Sequence, residues 1–179
     1  MKTIALIFTL SILLTSCNDK QTHLQKTEVV HDTIIPLKPK TEVATDLIKF
    51  EPHISFSDFK VNIENANAKP DLNSNELGQK FRSAIREEYE NDESLFAGHY
   101  SFAYWGCGSP CQMSVIVDKR NGKIYDSPTA SVGYKFQKDS RMLIVNPPDS
   151  LGYYNKDCPY CKPEIYILNE ATKKFEKQP

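Results

Sequence analysis

Apolar residues along this 179-residue chain follow a different rhythm in each successive stretch, and each rhythm predicts a different element. A dominantly apolar run comes first, Ile4 to Leu14, and its eleven residues fall short of the roughly 20 that a membrane-spanning helix needs. Residues 18–45 are polar and lack glycine, with Val29-Val30 and Ile34-Ile35 as isolated apolar pairs. Pro36 and Pro39, flanked by lysines, favour an extended course there, so the stretch reads as a spacer. A partner-binding strand at Val29–Leu37 is the sharper alternative, and His23 and His31 are read as solvated. From Leu47 to Ile63 the apolar positions alternate in places (Ile54, Phe56, Phe59, Val61, Ile63), which predicts one or two short strands.

The period then changes. Leu77, Phe81, Ala84, Ile85 and Tyr89 recur every three to four residues, the stripe of one amphipathic helix over about 74–90. Asn73 or Ser74 can cap it and Glu76 suits its first turn, whereas Glu87, Glu88 and Glu90 have the wrong sign for its end. Tertiary packing must hold such a helix. Beyond Asn91 the alternation returns. Phe96–Trp105 and Gln112–Asp118 read as strands, and Asn121-Gly122 turns the second into Lys123–Asp126. Val132–Gln137 pairs with Arg141–Val145, Asn146-Pro147-Pro148 opens a loop to Pro163, and Glu164–Leu168 with Lys173–Glu176 forms a last hairpin. The expected fold is α+β: an antiparallel β-meander sheet with one helix packed on a face.

Composition sharpens the first segment. Lys2 before the apolar run, and Leu14-Thr15-Ser16-Cys17 after it, give a secretory signal whose ending resembles the bacterial lipobox. That resemblance implies lipidation of Cys17 and cleavage before it, hence residues 1–16 as signal peptide, 17–45 as lipidated tether and 46–179 as a single domain. The expected address is the bacterial cell envelope, at the outer membrane and facing periplasm or surface. Several acyl chains on one residue suffice for stable anchoring. Without the first 16 residues the chain holds 21 basic and 23 acidic residues, a net charge of −2. That balance gives no electrostatic footprint for nucleic acid and no polybasic membrane patch. Hydrophobic residues at 40%, with nine Phe and nine Tyr, suffice for one compact core.

Several motifs of the folded part belong together. Phe96-Ala97-Gly98-His99-Tyr100, Trp105-Gly106-Cys107-Gly108-x-x-Cys111, Ile116-Val117-Asp118 with Asn121-Gly122-Lys123, and Asp139–Asn146 resemble a family of small secreted bacterial proteins with AGHY and WGCG-x-x-C motifs. The resemblance spans about residues 50–177 and implies a fold class, while no activity is established for that family.

The remaining chemistry lies in four cysteines, one histidine and a set of aromatics. Cys158-Pro159-Tyr160-Cys161 matches a dithiol redox motif, which requires its first cysteine at a helix N-terminus in a βαβ setting. Pro163 and the strand-like Glu164–Leu168 argue against that setting. Cys107, Cys111, Cys158 and Cys161 could also hold zinc, although an oxidising compartment favours disulfides. Local pairs would stabilise by about 2 kcal/mol and a crossed pairing by about 4 kcal/mol, provided Cα atoms come within about 7 Å. The family motif carries Cys107 and Cys111 as a unit, which implies local pairs. His99 lacks an evident partner, because only His53 joins it in the folded part, so it is expected to donate to a backbone carbonyl. His99, Tyr104, Trp105, Tyr153, Tyr154 and Tyr160 form a possible binding surface or fill the core. No catalytic set, metal site or cofactor is expected. The leading reading is a non-catalytic binding or interaction module, its partner an envelope protein or a small molecule. The alternative is an extracytoplasmic thiol-disulfide or zinc-binding protein.

Overall fold

The computed structural model describes residues 46–179; Cys17, the apolar leader and the stretch to residue 45, including Val29–Leu37, lie outside the described residues. In chain order come β1 (Leu47–Lys49), α1 (Glu76–Lys80), α2 (Arg82–Tyr89), β2 (Leu95–Phe96), β3 (Tyr100–Gly108), β4 (Cys111–Asp118) and β5 (Ile124–Asp126). Then follow β6 (Tyr134–Phe136), β7 (Met142–Val145), β8 (Tyr153–Asn155), β9 (Glu164–Asn169) and β10 (Lys174–Lys177). Every strand pair is antiparallel, so the fold is mainly antiparallel β with few helices.

The strands do not form the single meander that the sequence suggests. They divide into a β2-β3-β4-β5 sheet, a β10-β9-β7-β6 sheet and a two-stranded β1-β8 ribbon. The division follows from burial. Ser114–Asp118 of β4 and all of β7 are buried on both faces, so these strands lie inside a layered stack with no face left to water. One buried cluster joins Phe96, Phe102 and Ile116 to Leu143, Val145 and Leu168, drawing from both larger sheets. A second joins Leu72, Ile85 and Tyr89 to Ala103, Val115, Val117 and Ile124. A third gathers Met142, Ile144, Ile165 and Ile167 under Phe50, Ile54, Phe56 and Phe59. The alternation over residues 47–63 therefore marks a covering segment. After β1 it holds only a 3₁₀ turn at Phe56–Phe59 and an isolated bridge from Lys60 to Ser140.

The expected single helix is two. The break falls at Phe81 (φ −117°, ψ 37°), whose ring lies 4.7 Å from that of Trp105. Asn75, not Asn73 or Ser74, caps α1 by accepting from the Leu77 and Gly78 amides. Ser74 instead donates to the Asp71 carbonyl and accepts from the Ile124 amide, tying the helix entry to β5. The loop after Asn146 also holds a strand that the sequence does not announce, β8, which pairs Tyr154 with Ile48. Among the described residues, no helix is long and apolar enough to cross a membrane.

Candidate functional site

The β3–β4 hairpin carries chemistry at both ends. At its base, Ala97 and Gly98 adopt positive φ (47° and 83°) and turn the chain from β2 into β3. A Cβ at Gly98 would overlap the Asn62 carbonyl oxygen, so only glycine lets residues 61–64 lie this close. The Glu64 amide donates to the Gly98 carbonyl (3.0 Å), which sets the Glu64 carboxylate beside His99. His99 Nδ1 lies 3.5 Å from Glu64 Oε1, and Nε2 lies 3.9 Å from Glu170 Oε2. The His99 side chain is 6% exposed.

Two further groups hold this end. Asp118, fully buried at the close of β4, accepts from the Arg120 amide (3.0 Å), from Arg120 Nε (3.0 Å) and Nη2 (2.9 Å), and from Asn121 Nδ2 (3.3 Å). Burial pushes the Asp118 carboxyl up, but the Arg120 guanidinium and amide outweigh it and hold it below the usual carboxylate range. On the other side, Glu170 Oε2 accepts from Tyr100 (2.9 Å) and from Lys173 Nζ (2.7 Å), and Lys173 also donates to the Tyr100 hydroxyl (2.7 Å). Burial raises the Glu170 carboxyl, yet Lys173 and Tyr100 overcome it and keep Glu170 ionised. Burial, together with the hydrogen bond to Glu170, drives the Tyr100 hydroxyl well above its ordinary value. For His99, burial and then the Arg120 charge lower the pKa, against the opposing pull of Glu170, Asp118 and Glu64. The net shift favours the neutral ring.

His99 is thus no carbonyl-bound histidine. Its neighbours are carboxylates and an arginine delivered by three separate loops, which the search for a second histidine missed. With Nδ1 carrying the proton toward Glu64, Nε2 presents a lone pair. Neither His99 Nε2 nor Glu170 Oε1 has a hydrogen-bond partner, and both are buried. Each such atom costs about 1–3 kcal/mol if it stays unpaired. The residues lining the cleft here are Val61, Asn62, Glu64, His99, Arg120 and Glu170, around a volume of 390 Å³. None of them is a serine, threonine or cysteine.

The far end is built differently. Cys107 and Cys111 are joined by a disulfide across the turn, and Gly106 through Pro110 are exposed. Nothing lies within 4 Å of a Cβ placed on Gly106 or on Gly108. Adjacent residues on a strand point to opposite faces, and Tyr104 and Trp105 do so. Tyr104 is 41% exposed with its ring 5.8 Å from that of Tyr134, whereas Trp105 turns inward to Phe81.

The expected aromatic surface is therefore not gathered in one place. His99 stands at the base of β3, Tyr104 and Trp105 near its tip on opposite faces, and Tyr153 and Tyr154 on the β8 ribbon. Tyr160 lies in the loop after β8 and is half exposed. Cys158 and Cys161 close a second local disulfide in that loop. No helix begins there, so the segment lacks the helix N-terminus that dithiol redox chemistry uses. With both pairs bonded, the four sulfurs offer no thiolate to a metal, and no group of three or more His, Cys, Asp or Glu able to hold one occurs among the described residues. Comparison of the chain with protein-family models, with curated proteins and with solved structures returned no match.

Proposed function

We propose that this chain is a non-catalytic binding module of the bacterial envelope, anchored by lipid on Cys17, with residues 17–45 as its tether and 46–179 as one α+β domain. The α+β reading takes α2 as a cover on the β2–β5 sheet, supported by the cluster that Ile85 and Tyr89 share with Ala103, Val115 and Val117. Two disulfides suit an oxidising compartment. The binding role rests on one observation: the exposed end of the β3–β4 hairpin, Gly106–Pro110, is held in one shape by the Cys107–Cys111 bond with Tyr104 half exposed beside it. A loop ordered before it meets a partner loses little conformational entropy on binding, and tyrosine is a common interface anchor. The partner class that fits is an envelope protein.

The test is site-specific photo-crosslinking in bacteria carrying the full chain. A crosslinking residue in place of Ser109, at the tip, is expected to give a discrete high-mass adduct. The same residue in place of Asp157, in the β8–β9 loop, is expected to give none. Equal labelling from both positions, or none from Ser109, overturns the reading. An adduct that persists in the Tyr104→Ala variant would move the anchor away from the aromatic ring.

A further inference from the structure

We propose that the cleft over His99 is a binding site for a primary ammonium group. It lies at the opposite end of β3 from the hairpin tip, about 30 Å away at the usual rise per strand residue, and is separate from the tip's proposed role. His99 and Glu170 both line the cleft, and each carries a buried acceptor, Nε2 and Oε1, that no donor of the protein reaches. The charged and hydroxyl donors nearest them are engaged elsewhere. Lys173 and the Tyr100 hydroxyl are spent on Glu170 Oε2, while Arg120 Nε and Nη2 are spent on Asp118. The remaining Arg120 nitrogen, Nη1, leans toward Glu64 at 3.9 Å.

The charge count gives the sign of the ligand. Asp118 and Arg120 cancel, Glu170 and Lys173 cancel, and His99 is neutral, which leaves Glu64 as the uncompensated charge at the rim. A site with one net negative charge and two unfilled acceptors calls for a monocation that donates several hydrogen bonds. An anion would meet the Glu64 and Glu170 carboxylates, with only the outer edge of Arg120 to receive it. A quaternary ammonium would bring charge with nothing to donate. A primary ammonium satisfies both requirements, and at 390 Å³ the cleft has room for the carbon chain that carries it. The source can be a free amine or a lysine side chain, and the experiment separates them.

The measurement is NMR titration of the His99 ring in the full-length protein at pH 7.5 and constant ionic strength. The first probes are methylammonium and tetramethylammonium. Methylammonium is expected to shift the His99 resonances saturably, with a Kd on the order of 10 mM, near the limit for a ligand of two heavy atoms. Tetramethylammonium is expected to leave them in place. Glu170→Gln should weaken methylammonium at least about tenfold. Should that variant disturb the Tyr100–Lys173 contacts, Glu64→Gln, which removes only the rim charge, should weaken it by about threefold, and Glu51→Gln by nothing. A Gly-Lys-Gly peptide with blocked ends then distinguishes the sources. Tighter binding than methylammonium points to a lysine side chain, and equal or weaker binding points to a free amine. The proposal is overturned by an unsaturable or absent shift, by an equal response to tetramethylammonium, or by full affinity in both Glu variants.

Discussion

The base of the β3–β4 hairpin is fastened by a guanidinium laid on a buried carboxylate, whereas its tip is fastened by a single covalent bond in open solvent. At the base, each group depends on the next. Asp118 is tolerable because Arg120 covers it, and Glu170 because Lys173 and Tyr100 cover it. Such a network answers to pH and to the loss of any one member. At the tip, Gly106 and Gly108 look into open space, and the bond that closes the loop answers to redox conditions. One hairpin therefore joins an end that is conditional on its surroundings to an end that is indifferent to them.

The comparison breaks most sharply at Asp118. Asp118→Ala strips Arg120 and the Asn121 side chain of their acceptor, and should cost about 3 kcal/mol, read as a lowered urea midpoint at unchanged slope. A loss below about 1 kcal/mol would mean that the base is not held by this pair. Removing the tip bond with Cys107→Ser and Cys111→Ser should cost about 2 kcal/mol by the chain-entropy model. Hydrogen exchange should then rise only between residues 105 and 112, and exchange that spread to Asp118 would show the two ends to be coupled.

Acid should separate the ends with a smaller effect. Because the folded-state pKa of His99 lies below its ordinary value of 6.5, the unfolded chain takes up a proton that the folded chain refuses. Stability should therefore fall as pH drops below 6.5. A second loss follows as Asp118 and Glu170, whose carboxyls are held low, protonate at more acid pH. His99→Gln should flatten the first step alone, while the double serine variant should keep both steps. The smallest effect on stability is expected at Tyr104→Ala, about 0.5 kcal/mol or less, because the ring is half exposed. The same change should still weaken crosslinking from Ser109. An intact adduct would remove Tyr104 from the interface and leave the tip backbone as the recognition element.

Local signals carried much of the fold. The alternation with Asn121-Gly122 marks the β4–β5 turn, and the spacings around Lys138–Ser140 and Asn169–Thr172 mark two further hairpins, all with pairing between near neighbours. The break at Phe81 was not legible, because the stripe of apolar residues continues straight through it and the ring's partner, Trp105, lies on a strand further along. The β1–β8 ribbon joins two short segments from distant parts of the chain, and neither is long enough to show a period. The His99 cluster was hidden for a related reason. Glu64, Arg120 and Glu170 are ordinary acidic and basic residues in ordinary loops, and only the packing of those loops brings them to one ring. The one usable trace was Gly98 beside His99, a glycine whose requirement becomes visible only once Asn62 is seen against it.

The empty surroundings of Gly106 give the tip a further property. A Cβ added at Gly106 would touch no other part of the molecule, and Ser109 is exposed as well. Changes at these positions are thus expected to pass without a folding cost, on a loop whose outline the Cys107–Cys111 bond maintains. For a lineage of such proteins that means freedom to diversify what the loop recognises while the frame stays constant. For an engineer, it is a place to graft a short foreign peptide.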